Sequence, residues 1–326
     1  MKASILQLVL IMALFSCGED EPIIDNETTQ ISSEPIFQIA LTEDVEYAQG
    51  LSHESLNSPE SEPMSLLLDI YEPVNDMTNR PVYMFIHGGS FIGGSKSSTP
   101  IVNLGNYYAS RGWVFVSIDY RLRDDFGTVP QEWLDIAAVA PNQDLSQFFA
   151  IYPAQRDAKA ALRWIVANAD TYGIDTDYIT VGGGSAGAVT AVALGVSELE
   201  DYRDEIDIST DPTLSSTNLD ESYQVQTIID YWGSDVALDA LQLTFGHQRF
   251  DRNDPPLMVV HGTEDRIVLF SEAEQLRSIY EANQVPLAYH PLEGLGHSAW
   301  SATVDGLGLD KLAFDFIVEQ QGLIVD

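Results

Sequence analysis

Residues 179–188 read Ile179-Thr180-Val181-Gly182-Gly183-Gly184-Ser185-Ala186-Gly187-Ala188. The β-branched start favours a strand, and the glycines end it. A helix is predicted to open at Ser185. The pentad Gly183-Gly184-Ser185-Ala186-Gly187 fits G-x-S-x-G, the spacing of a nucleophile elbow. A serine held exposed between a strand and a helix sits in strained backbone. Small residues two positions to either side let the two elements pass without a clash. The following helix N-terminus offers free N–H groups to a developing negative charge. Alone, the pentad equally describes a glycine-rich turn without chemistry, so the flanking sequence decides.

Upstream, residues 81–86 form a continuous apolar run of strand length, as in a strand buried on both faces. It leads into His87-Gly88-Gly89-Ser90-Phe91 and then Gly93-Gly94-Ser95. Such glycines let main-chain N–H groups converge on one spot, where an oxyanion can be held. His87 is read as a brace for this loop, not as a proton carrier. Further strands are predicted over 64–71, 113–118, 178–181, 225–231, 256–260 and 286–291, with a short edge strand at 45–48. Helices are predicted over 101–111, 153–172, 188–196, 271–283 and 309–318. Residues 122–151 show no clear period and read as a long insertion, a partial cap or pocket wall. Residues 197–223 form a second, acidic insertion. Its Asp204, Glu205, Asp207 and Asp211 lack EF-hand spacing and read as a solvated loop, not a calcium site. The alternation predicts an α/β fold, with a mostly parallel central sheet and helices on both faces. Functional groups then belong at the C-terminal ends of the strands.

The phrases Ile86-His87-Gly88-Gly89-Ser90-Phe91, Asp119-Tyr120-Arg121, Gly184-Ser185-Ala186-Gly187, His261-Gly262-Thr263-Glu264-Asp265 and Gly296-His297 occur in that order. Together they resemble the α/β-hydrolase superfamily, and closely its carboxylesterase/lipase branch with an HGG oxyanion loop. The resemblance covers about residues 64–320. It implies the chain order nucleophile, acid, histidine. Glu264 and Asp265 both follow a predicted strand, and the familiar form His-Gly-Thr-x-Asp favours Asp265. Of the six histidines, only His290 and His297 lie beyond it. His290 sits inside the last predicted strand. His297 sits in a glycine-rich loop that can deliver an imidazole over the sheet edge. The implied catalytic residues are therefore Ser185, Asp265 and His297, with the aspartate orienting the imidazole. The implied oxyanion donors are the backbone N–H groups of Gly89 and Ser90, with Gly88 shaping the loop and Ala186 completing the hole. Phe91 and Trp232 are expected at the same sheet edge, in the pocket for the acyl or alcohol group.

Ser90 stands where hormone-sensitive-lipase-like esterases carry a third glycine, and Gly184 where they carry aspartate. The nearer likeness is to bacterial carboxylesterases and feruloyl-esterase-like enzymes. The implied activity is serine carboxylic-ester hydrolysis through an acyl-enzyme, on short acyl or feruloyl/acetyl esters, free or linked to a polysaccharide. A single-domain serine amidase or peptidase, kynurenine-formamidase-like, is the alternative with the same triad. A binding module on a dead hydrolase fold is opposed by the presence of all three triad members. No cofactor is called for, and no metal constellation is visible.

The 326 residues carry 50 acidic and 15 basic side chains, a formal charge of -35. That balance opposes nucleic-acid binding and adsorption to anionic lipid. Residues 1–16 have the shape of a signal peptide, with an apolar run too short to span a bilayer. The run ends before Cys17, the only cysteine, which resembles the lipidated residue of a bacterial lipobox. Cys17-Gly18-Glu19-Asp20-Glu21 resembles an acidic export signal of surface lipoproteins. The expectation is an exported protein, lipid-anchored to the cell envelope, with a tether over 17–36 and a catalytic domain over 37–326.

Overall fold

The computed structural model describes residues 30–139 and 145–326. In chain order the elements are β1 (Gln30–Ile31), β2 (Ile39–His53), β3 (Ser61–Pro73), β4 (Arg80–Ile86), α1 (Thr99–Ala109), β5 (Val114–Ile118), α2 (Gln131–Val139), α3 (Ser146–Ala167), α4 (Ala169–Tyr172) and β6 (Ile174–Gly184). There follow α5 (Ala186–Val196), β7 (Thr227–Tyr231), α6 (Val236–Phe245), β8 (Leu257–Gly262), α7 (Phe270–Asn283), β9 (Leu287–Leu292), β10 (Thr303–Val304), β11 (Leu307–Gly308), α8 (Leu309–Gln321) and β12 (Ile324–Val325).

Eight strands form one sheet in the order β2-β3-β5-β4-β6-β7-β8-β9. The β2–β3 and β3–β5 pairs are antiparallel, and every pair from β5–β4 to β8–β9 is parallel. Side-chain alternation sorts the core into two layers even in strands with no exposed residue. Val82, Met84 and Ile86 of β4 pack with Ala158 and Leu162 of α3, Val192 of α5, Leu241 of α6 and Leu276 of α7. Tyr83 and Phe85, pointing the other way, pack with Tyr108 of α1 and Phe314 and Ile317 of α8. With both faces covered, the parallel strands can be apolar throughout, as the sequence is.

Four expectations need correction. The folded body starts before residue 37: β1 pairs in parallel with β12, and Ile31 is buried against α8. Ser33 N–H donates to Asp326 O at 3.2 Å, and Asp326 N–H to Ile31 O at 2.9 Å. The expected signal peptide, Cys17 and residues 17–29 of the tether lie outside the described residues. The edge strand β2 spans 15 residues, not four, because its solvent-facing half needs no apolar pattern. Within 122–151, α2 and the first turns of α3 are helical. Pro153 lies inside α3, packed against the backbone of Gly127, so it does not mark the helix start. In the acidic insertion Asp204 and Asp207 are exposed, but Asp211 is buried and caps the next turn through Thr213 N–H at 3.1 Å. Among the described residues no group of His, Cys, Asp or Glu is placed to hold a metal ion, and no helix is long and apolar enough to cross a membrane.

Candidate active site

Ser185 joins β6 to α5 at φ 55°, ψ -122°. A side-chain-bearing residue there costs on the order of 1–3 kcal/mol, which the surroundings must offset. Two contacts hold the turn. Ser185 N–H donates to Tyr231 O at the end of β7 at 2.9 Å. Gly187 lies so close to β4 that a Cβ on it would stand 2.0 Å from Ile86 O, which excludes every other residue.

The loop after β4 lies directly against this turn. A Cβ on Gly88 would stand 2.5 Å from Gly184 O and 3.2 Å from Ser185 Cβ. Gly89, Ser90 and Phe91 all have positive φ, at 124°, 58° and 58°, and Gly89 O accepts from Ile92 N–H at 2.9 Å. His87 is buried, with Nδ1 2.7 Å from Gly88 O and its ring stacked on Tyr120 at 4.4 Å. Tyr120 O–H donates to His87 O at 2.9 Å. His87 thus braces the loop, as its place in the sequence led us to expect.

From the far side of the sheet, the loop after β9 brings His297, and the loop after β8 brings Asp265. His297 Nδ1 lies 2.6 Å from Asp265 Oδ2. The other oxygen, Oδ1, accepts from Ile267 N–H at 2.8 Å and Val268 N–H at 3.1 Å, so both lone-pair faces are used. Asp265 is buried, whereas Glu264 is exposed, which resolves the choice between these neighbours. His290 is in β9, opposite Val260, and away from this pair. His261, which opens the His-Gly-Thr-x-Asp phrase, had no role assigned from the sequence. It is fully buried, with Nε2 2.9 Å from Val268 O and 3.4 Å from Asp265 Oδ2. Burial pushes its pKa down, so the neutral ring donates from Nε2 to Val268 O and pins the loop that carries Asp265.

Ser185 sits where two cavities meet. One, about 300 Å³, is lined by Gly88, Gly89, Ser90, His297, Trp232 and Trp300. The other, about 290 Å³, is lined by Phe91, Phe148, Ile151, Ala186, Val189 and Val236. Ser90, Ser185 and Ile267 line both. Phe91 and Trp232 therefore reach the site from opposite sides, while each is also packed in the core. Trp232 meets Trp300 edge-on at 4.7 Å and lies 6.2 Å from the His297 ring. Trp300, Phe148 and Ile267 were not legible beforehand, since each comes from a loop or helix turn without a motif. Behind Trp232, buried Asp230 accepts from Gly233 N–H at 2.6 Å through Oδ1, and its Oδ2 has no partner among the described residues. Burial pushes its pKa up to about 7.

The arrangement places Ser185, the carboxylate-paired imidazole of His297 and the glycine loop after β4 around one cavity, a layout that suits acyl transfer. Esterase LipC of Mycobacterium tuberculosis is 27% identical over 259 residues, covering 71% of this chain and 56% of LipC. Para-nitrobenzyl esterase of Bacillus subtilis is 32% identical over 130 residues, covering 40% of this chain and 24% of that protein. The chain thus spans about half the length of LipC and less of the second relative. Among solved structures, esterase 2 of Thermogutta terrifontis with propionate bound superimposes with a TM-score of 0.57 at 22% identity, covering 78% of this chain and 90% of that one. This likeness, with the sheet order above, establishes the α/β-hydrolase fold. The profile of the BD-FAE family matches residues 68–140 and 134–245, together more than half of the chain. That stretch takes in β4, β6 and the turns that follow them, while Asp265 and His297 lie beyond it. Fold and sequence profile therefore converge, and the chain belongs to the BD-FAE family.

Proposed function

We propose that the protein is a serine carboxylic-ester hydrolase. The observation that carries this reading is the 2.6 Å contact between His297 Nδ1 and Asp265 Oδ2, in a histidine that lines one cavity with strained Ser185. Asp265 fixes the tautomer of His297 with its proton on Nδ1, leaving Nε2 as the base. Ser185 Oγ attacks the ester carbonyl as Nε2 takes its proton. The N–H groups of Gly89, Ser90 and Ala186 receive the oxyanion. Nε2 then returns the proton to the leaving alkoxide, and water cleaves the acyl-enzyme by the same route in reverse. The esterase names of the relatives support the reaction class.

The substrate we favour is a short acyl, acetyl or feruloyl ester outside the cell. The apolar cavity of Phe91, Phe148 and Val189 suits an acyl group of that size. Lipidation at Cys17 would hold the enzyme on the envelope. Ser185→Ala should lower kcat on p-nitrophenyl acetate by roughly 10⁴-fold or more, with the fold and Tm retained. A fluorophosphonate probe should label wild type on Ser185 and leave the variant unlabelled. Residual activity above about a tenth would refute the assignment, since base activation alone contributes about 10²–10⁴-fold. Faster turnover of a matched anilide than of the ester would favour an amidase.

A further inference from the structure

We infer that Asp230 is a positioning residue for the alcohol side of the site: through the turn 230–233 it fixes the indole of Trp232, and so selects among leaving alcohols. This rests on the esterase reading above. The leaving alkoxide takes its proton from His297, and His297 lines only one of the two cavities at Ser185. The alcohol therefore leaves on the His297 side, where Trp232 forms part of the wall. A Cβ on Gly184, next to the nucleophile, would stand 3.5 Å from Trp232 Nε1. The ring meets Trp300 edge-on at 4.7 Å, so a shift of Trp232 reshapes the wall as a whole.

Trp232 has φ 50°, a conformation that a bulky residue keeps only where its surroundings impose it. Three successive backbone groups impose it here. Tyr231 O accepts from Ser185 N–H at 2.9 Å, and Trp232 N–H donates to Val260 O at 2.8 Å. Gly233 N–H donates to Asp230 Oδ1 at 2.6 Å and closes the turn. The turn is seated on the start of α5, since a Cβ on Gly233 would stand 2.5 Å from Ala188 Cβ. Asp230 lines neither cavity. Along β7, Ile228 packs in the layer of α5, α6 and α7, whereas Ile229, Tyr231 and Trp232 pack in the layer of α1 and α8. Strand alternation puts Asp230 on the Ile228 side, so it acts on the indole only through the turn. Carboxylates that close such turns ordinarily lie in water. This one is fully buried, and burial, with Asp235 nearby, pushes its carboxyl up to about 7. Its one hydrogen bond among the described residues is the bond to Gly233. An apolar side chain would fill this core position at lower cost, and the closed turn is what the carboxylate adds.

The test compares 1-naphthyl acetate with ethyl acetate, which share an acyl group and differ in the alcohol. Asp230→Leu stays close to aspartate in shape but accepts no hydrogen bond. It should raise KM on the naphthyl ester about tenfold, with kcat and the butyryl-to-acetyl ratio of p-nitrophenyl esters within about twofold of wild type. Asp230→Asn keeps the acceptor and should restore the wild-type KM. The near-ultraviolet circular dichroism band that disappears in Trp300→Phe should also disappear in Asp230→Leu and persist in Asp230→Asn. Should Asp230→Leu not fold, Asp230→Ala makes the same comparison. An unchanged KM in Asp230→Leu, an equal change on both acetates, or Asp230→Asn behaving as Asp230→Leu would overturn the role. If the wild type hydrolyses neither acetate but the dichroism separates the two variants as expected, the esterase reading falls and the positioning of Trp232 by Asp230 stands.

Discussion

Asp265 divides its two oxygens between two tasks. Oδ2 faces His297 Nδ1, and Oδ1 accepts two backbone N–H groups of the next turn. The same turn places Ile267 in both cavities, so the acid and the pocket wall are positioned together. On the other wall Phe148 stacks on buried Trp133 at 4.5 Å and closes the apolar cavity. Phe148→Ala should lengthen that cavity. A buried methylene is worth roughly 1–3 kcal/mol of discrimination, so kcat/KM on octanoyl relative to acetyl p-nitrophenyl esters should rise about tenfold. An equal loss on all chain lengths would remove Phe148 from the acyl wall.

At the scale of elements, β7 carries an unusual group. Asp230 is fully buried, with its pKa pushed up to about 7 by desolvation. The folded state therefore holds a proton that the unfolded chain releases near pH 4. Stability from this group is complete below about pH 4 and is lost as pH rises to about 7 and beyond. Asp230→Asn removes that dependence. Thermal melts from about pH 4 to about pH 8 should show the variant gaining on wild type by a few kcal/mol. A pH-independent gap would show that Asp230 does not titrate in this range. Elements also mark where pattern reading stops. The helix α6 carries Val236, Ala237, Leu238, Ala240 and Leu241, and Asp235 stands at its N-cap without a side-chain capping hydrogen bond. Proline suits a first helical turn, so Pro153 reads as a helix start, whereas in the fold it lies inside α3 with its ring against Gly127.

For the whole molecule, the charge of -35 should act on substrates before any contact is made. Raising salt from about 0.01 M to about 0.15 M shortens the Debye length from about 30 Å to about 8 Å. Over that range kcat/KM on an anionic ester such as p-nitrophenyl hemisuccinate should rise, and that on the neutral acetate should stay level. A rise on both would assign the effect to the protein, not to steering. Anchoring is tested separately. A palmitate analogue should label the wild-type protein in cells and spare Cys17→Ser, and equal labelling would refute lipidation at Cys17.

Sequence alone determined the fold class and singled out the strand-to-helix turn at Ser185, because turns of this kind demand glycine at fixed spacing whatever surrounds them. It also pointed to His297, since the chain order that the family resemblance implies, together with a glycine-rich loop, left one candidate. It could not choose between Glu264 and Asp265 on the residues themselves. That choice is a matter of which carboxylate the turn after β8 buries, and burial belongs to packing. Nor could it find Trp300, Phe148, the contact of His261 with Val268 or the clip of β1 on β12. These are meetings of segments far apart in the chain, brought together by the sheet order, and no local period records them. Tertiary structure alone decided that Phe91 and Trp232, which looked alike as aromatics after strands, serve opposite sides of Ser185.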